Sequence, residues 1–132
     1  PFFARFILLA TATFLFTGCA SSPRPTVRAG TLYQVGLVWL KNPGSAEDRQ
    51  KIIAAVHAFG KEIPEVKSAV VGQTDGIGGA FSDTGYDVCF IISFENEAAR
   101  LRYNAHPVHQ KAGGEVFLPL SRKLLFYRFA SE

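Results

Sequence analysis

Cysteine is scarce in this sequence. Cys19 and Cys89 are the only two, too few for the disulfide framework of a small stapled domain. Charge is scarce as well: charged residues make up 19% of the chain, the net charge is +3, and the basic residues are scattered. That excludes the clustered basic face of a nucleic-acid-binding protein. Histidine occurs three times. His106 and His109 could share a metal with His57 or Glu115, but no cysteine or carboxylate cluster completes a closed shell, and Pro107 disturbs the helical register between them. No metal and no cofactor is expected. The glycine-bearing stretch from Asp75 to Phe81 lacks the Lys-Ser/Thr pair of a phosphate cradle and falls between two strands, so it reads as a mobile loop. No internal repeat or low-complexity tract is present, which excludes a repeat architecture. Methionine is absent and the chain opens on Pro1, so the natural start is expected upstream.

What is present begins with an apolar run. Arg5 precedes Phe6 to Phe16, then Thr17, Gly18 and Cys19, then the polar Ala20 to Pro25. A basic start, a short hydrophobic stretch and small residues at the cut describe a secretory signal peptide. The run is well short of the roughly 20 residues that a spanning helix needs, and it has no polar face for a buried core helix. Ending on Gly18-Cys19, it resembles the lipobox of bacterial lipoproteins. That resemblance implies cleavage before Cys19, lipidation of Cys19 and a membrane anchor. Residues 1–18 are thus expected to be a signal peptide, and 19–30 a lipidated cysteine with a flexible Ser/Pro/Arg/Gly tether. The protein is expected in the cell envelope. In a diderm host, Ala20 after the cysteine points to the periplasmic face of the outer membrane.

Removing the signal leaves about 114 residues, enough for one domain, expected over 31–132. Leu32 to Leu40 is β-branched and aromatic, a first strand. Ser45 stands where a helix N-cap belongs, with Glu47 and Asp48 in the first turn. Ile52, Val56, Phe59 and Ile63 then share one helical face, and Pro64 ends the helix. Val66 to Thr74 and Tyr86 to Phe94 read as strands. A second helix runs from about Asn96 through Tyr103 to the interruption at His106-Pro107. A short segment from Val108 to Leu120 leads to a last strand, Lys123 to Phe129. The order β-α-β-β-α-β is an α+β, ferredoxin-like arrangement. Both helices cover one face of its antiparallel sheet, yet neither face is polar. The economical cover for the second face is another copy of the same sheet, hence a homodimer. Cys89, within Val88-Cys89-Phe90, reads as a small apolar residue and not a nucleophile.

The stretch Glu95 to His109, with Tyr103 followed by His106-Pro107-Val108-His109, resembles the signature of the stress-responsive dimeric α/β-barrel (Dabb) family. Pro64-Glu65-Val66-Lys67 and Gly72 are similar to the residues that open and end the family's second strand. The resemblance covers residues 31–130. It implies a dimeric α/β barrel and a ligand pocket at Tyr103, His106 and His109. In a polyketide cyclase of the family the second histidine of the motif is a base assisted by a tyrosine, and those roles carry over to His109 and Tyr103. The cyclase's further histidine, in its first strand, corresponds to Gln34. The expected function is a non-catalytic homodimeric module that is structural or binds a small apolar or aromatic ligand. The alternative is a cyclase-like enzyme with a His109 base and Tyr103 acting on a carbonyl substrate.

Overall fold

The computed structural model describes residues 28–132. The expected signal peptide, Cys19 and most of the expected tether lie outside the described residues. The last tether positions are held: the Gly30 amide donates to the Ser131 carbonyl at 2.8 Å, and the Ser131 hydroxyl donates to the Arg28 carbonyl at 2.6 Å. Both ends of the domain therefore meet at one edge of the sheet.

The elements follow as β1 (Leu32–Leu40), α1 (Ala46–Glu62), β2 (Val66–Gln73), β3 (Val88–Phe94), α2 (Glu97–Ala105), α3 (Pro107–Ala112), a π-helical turn (Gly113–Phe117), α4 (Leu118–Leu120) and β4 (Ser121–Ala130). The sheet order is β2-β3-β1-β4, and every neighbouring pair is antiparallel. This is the ferredoxin-like α+β fold. Ser45 caps α1 by accepting from the Asp48 amide at 3.2 Å, and Asn96 caps α2 by accepting from the Ala99 amide at 2.9 Å. Each cap meets an amide that the helix itself leaves unpaired.

Two expectations shift. The third strand begins at Val88 and not at Tyr86, because Asp87 turns its carboxylate to the β1 end, accepting from the Leu40 amide at 2.9 Å and the Gly44 amide at 3.1 Å. The segment after Pro107 is helical almost throughout, with the π-helical turn in its middle.

The core lies between helices and sheet. Ile52, Val56, Phe59 and Ile63 of the α1 region meet Val38 and Leu40 of β1 and Val88, Phe90, Ile92 and Phe94 of β3. Alternation along β1 sends Gln34 and Gly36 to the same side. A side chain at Gly36 would collide with the Phe90 ring, so glycine lets that ring lie flat over the strand. The opposite face carries Tyr33 stacked on Phe129 at 5.0 Å, with Val70, Ile91 and Tyr127 in the open. Tyr127 and Phe129 keep 56% and 53% of their surface exposed, a contiguous apolar face of the kind that marks an interface.

Candidate functional site

A cavity of about 240 Å³ lies between the helices and the β1-β4 half of the sheet. Its walls are mostly rings. Phe59 stacks on Phe117 at 5.9 Å, and Phe90 meets Phe117 and Phe126 edge-on at 6.0 and 6.2 Å. The π-helical turn, a distortion frequent at functional sites, sets Gly113 and Phe117 against this space.

Three polar side chains reach the same cavity: Tyr103 from α2, His109 from α3 and Gln34 from β1. The Tyr103 and His109 rings lie 4.4 Å apart between centroids, and Phe59 and Phe94 pack around them. Tyr103 is 1% exposed and Gln34 8%. Among the described residues neither the Tyr103 hydroxyl nor the Gln34 amide makes a hydrogen bond to protein, and the one fully enclosed side-chain polar atom without a partner is Ser121 Oγ. The polar ends of Tyr103 and Gln34 therefore keep access to the cavity, where a ligand or water can pair with them.

Burial pushes the Tyr103 phenol up, which keeps it protonated and able to donate at neutral pH. The His109 Nδ1 lies 3.2 Å from the Asn104 carbonyl. A carbonyl can only accept, so Nδ1 carries the proton and Nε2 keeps its lone pair. Desolvation lowers the His109 pKa below its ordinary value, and the bond to Asn104 partly offsets this. The imidazole is thus neutral at pH 7, with one acceptor nitrogen unused.

The sequence-derived trio does not stay together. Tyr103 and His109 line the cavity, but His106 does not. His106 sits at the α2–α3 junction, where its Nδ1 accepts from the Val108 amide at 3.3 Å and caps α3. Pro107 starts a new helix at that point, so the two histidines leave on different sides. Gln34 enters the site as a polar group in its own right. The signal for it was a polar residue at an inward register position of an otherwise apolar strand. Cys89 is half-buried on the opposite face of the sheet, and burial pushes its thiol up. No group of three or more metal-ligating side chains lies together among the described residues, and no described helix is long and apolar enough to cross a membrane.

Solved structures share this architecture. A Dabb family protein with a ferredoxin-like fold from Mesorhizobium loti is 21% identical, with a TM-score of 0.63 over 76% of this chain and 95% of its own. A dimeric ferredoxin-like protein from Thermobifida fusca is 19% identical, with a TM-score of 0.66 over 83% and 99%. The hydroxynitrile lyase of Passiflora edulis is 20% identical, with a TM-score of 0.67 over 80% and 96%. At these identities the likeness shows the fold alone. No functionally curated protein matches the sequence. The model of the stress responsive A/B barrel domain matches residues 32–130, three quarters of the chain and every element that builds the cavity, and the protein belongs to that Dabb family.

Proposed function

We propose that this protein is a membrane-anchored homodimeric module that binds a small apolar or aromatic molecule in the Tyr103–His109 cavity. The observation that carries the reading is the ring-walled cavity that two polar side chains, Tyr103 and Gln34, face without a hydrogen bond to protein. Ligand sites typically pair an apolar lining with a few placed polar groups. Native mass spectrometry of the protein purified from its host membrane should show a bound small molecule. Phe117→Trp, which fills the cavity, should remove it. Identical, ligand-free spectra for both proteins would overturn the binding reading.

The homodimer is supported by the open apolar sheet face and by the dimeric Thermobifida fusca neighbour. Membrane attachment rests on the lipobox-like Thr17-Gly18-Cys19. Lipidation would supply more than the two signals that stable anchoring requires. Cys19→Ser should move the protein out of the membrane fraction or leave it unprocessed, and unchanged fractionation would defeat the assignment.

A second reading is favoured by one observation: a neutral imidazole and a protonated phenol line the same cavity. His109 Nε2 could take a proton from a carbon next to a carbonyl while the Tyr103 hydroxyl donates to the oxygen that becomes negative. That a structural neighbour is a hydroxynitrile lyase is in keeping with acid–base chemistry on this scaffold. Gln34, which cannot serve as a proton acceptor at neutral pH, stands where a further histidine would assist, and binding is therefore preferred.

A further inference from the structure

A second hollow of about 300 Å³ adjoins the apolar cavity, and the two share Gln34, His109 and Phe126. The outer hollow is lined by Arg100 and Arg128, which the inner one is not. These arginines come from different elements: Arg100 from α2, and Arg128 from β4, where it stands directly opposite Gln34 on β1. Arg100 is 8% exposed. Its Nε donates to Glu97 Oε2 at 2.8 Å and its Nη2 to Glu97 Oε1. Its Nη1 has no acceptor among the described residues.

Arg128 makes no ion pair among the described residues, and its charge reaches Glu97. The Glu97 carboxyl is held below its usual range first by the Arg100 hydrogen bond, then by the Arg100 and Arg128 charges. One carboxylate against two guanidinium groups leaves the mouth with a net single positive charge. Gln34, which makes no hydrogen bond to protein, lines both this charged hollow and the ring-walled interior.

We infer that the ligand is an amphipathic organic monoanion, with a flat apolar body among Phe59, Phe90 and Phe117 and a carboxylate-type head at Arg128 and Gln34. This rests on the binding reading above. A neutral apolar molecule would fill the interior but make no use of the positive mouth or of the Gln34 amide. A carboxylate accepts from a guanidinium in charge-assisted bonds about twice as strong as neutral ones. The inner volume, small against the roughly 300–1,000 Å³ of ligand pockets, suits one or two fused rings and not a long acyl chain.

Calorimetry on the full-length protein in detergent can compare two probes of one shape: 2-naphthoate and its neutral amide, 2-naphthamide. The naphthoate should bind at least about tenfold more tightly, the scale of one charge-assisted bond. In Arg128→Gln the preference should shrink to within about twofold, and in Arg128→Lys most of it should persist, because the charge is kept. Since Arg128 is exposed, an unchanged melting temperature should accompany both variants. Equal affinity of the wild type for the two probes would overturn the anionic head while leaving the binding reading intact. Naphthoate preference that survives Arg128→Gln would also overturn it, by placing the head elsewhere. Binding of neither probe at millimolar concentration would overturn both readings together.

Discussion

At the scale of single residues, His109 is the group whose protonation the fold controls. Its pKa in the folded protein lies below the ordinary 6.5, chiefly through desolvation. As pH falls, the unfolded chain takes up this proton before the folded one does. The stabilising contribution is therefore complete above pH 6.5 and is lost as pH falls through the lower folded value. Urea midpoints measured at about pH 5 and about pH 7.5 should show this loss, and it should diminish in His109→Gln, which cannot titrate. An identical pH slope in that variant would assign the effect to other groups. The same position separates binder from enzyme. Removing a positioned base costs at least about 100-fold in rate, whereas losing a cavity wall changes affinity or stability by about 1 kcal/mol. His109→Ala is expected to give the second result. Reproducible turnover of a carbonyl substrate that disappears in His109→Ala would make the protein an enzyme and not a binder.

At the scale of elements, the joint between β1, α1 and β3 is held by one carboxylate. Asp87 accepts from the Leu40 and Gly44 amides, and its own amide donates to the Val38 carbonyl at 2.8 Å. Asp87→Ala strands the Leu40 amide at the end of a core strand and frees the exposed Gly44 amide to water, which should cost about 1–3 kcal/mol in a denaturant titration. A midpoint equal to the wild type would mean that solvent replaces the carboxylate without loss. This role was hidden in the sequence, where Asp87 read as one residue of a strand, because its partners lie more than 40 positions away. By contrast, α1 was legible from end to end. Its Ser45 cap, its acidic first turn, its apolar stripe and Pro64 are all local signals, and each meets its expected partner. The helical run from Pro107 to Leu120 was not, since two glycines and two prolines within it speak against a helix. Packing of Phe117 against Phe59 and Phe90 overrides those propensities.

At the scale of the whole molecule, the open sheet face sets the expected assembly. Val35, Leu37, Ile91 and Tyr127 lie on the side away from the helices. Each apolar side chain buried there contributes about 1.5–3 kcal/mol, against the entropy lost on association. The protein should sediment as a dimer at micromolar concentration in detergent. Val35→Asp, which sets a charge on that face, should yield a dissociated, destabilised or aggregating protein. A well-folded wild-type monomer would mean that the face is covered in another way. Arg28 to Gly30 are fastened to Ser131 at the β1–β4 edge, so an N-terminal anchor would leave the domain beside that edge and not from the helical layer.

The chain alone determined the β-α-β-β-α-β order, the caps, the apolar stripe of α1 and the two-sided character of the sheet. These depend on residues close in sequence, where period and turn chemistry are explicit. Tyr103 and His109 were legible as a pair through the family motif. Only the tertiary structure decided which side chains share a cavity. It separated His106 from His109 by starting a new helix at Pro107, and it brought Gln34 of β1 to Tyr103 of α2 across the core. It also set Arg128 opposite Gln34 through strand register. Such meetings are products of pairing and packing between distant segments, and no local pattern encodes them.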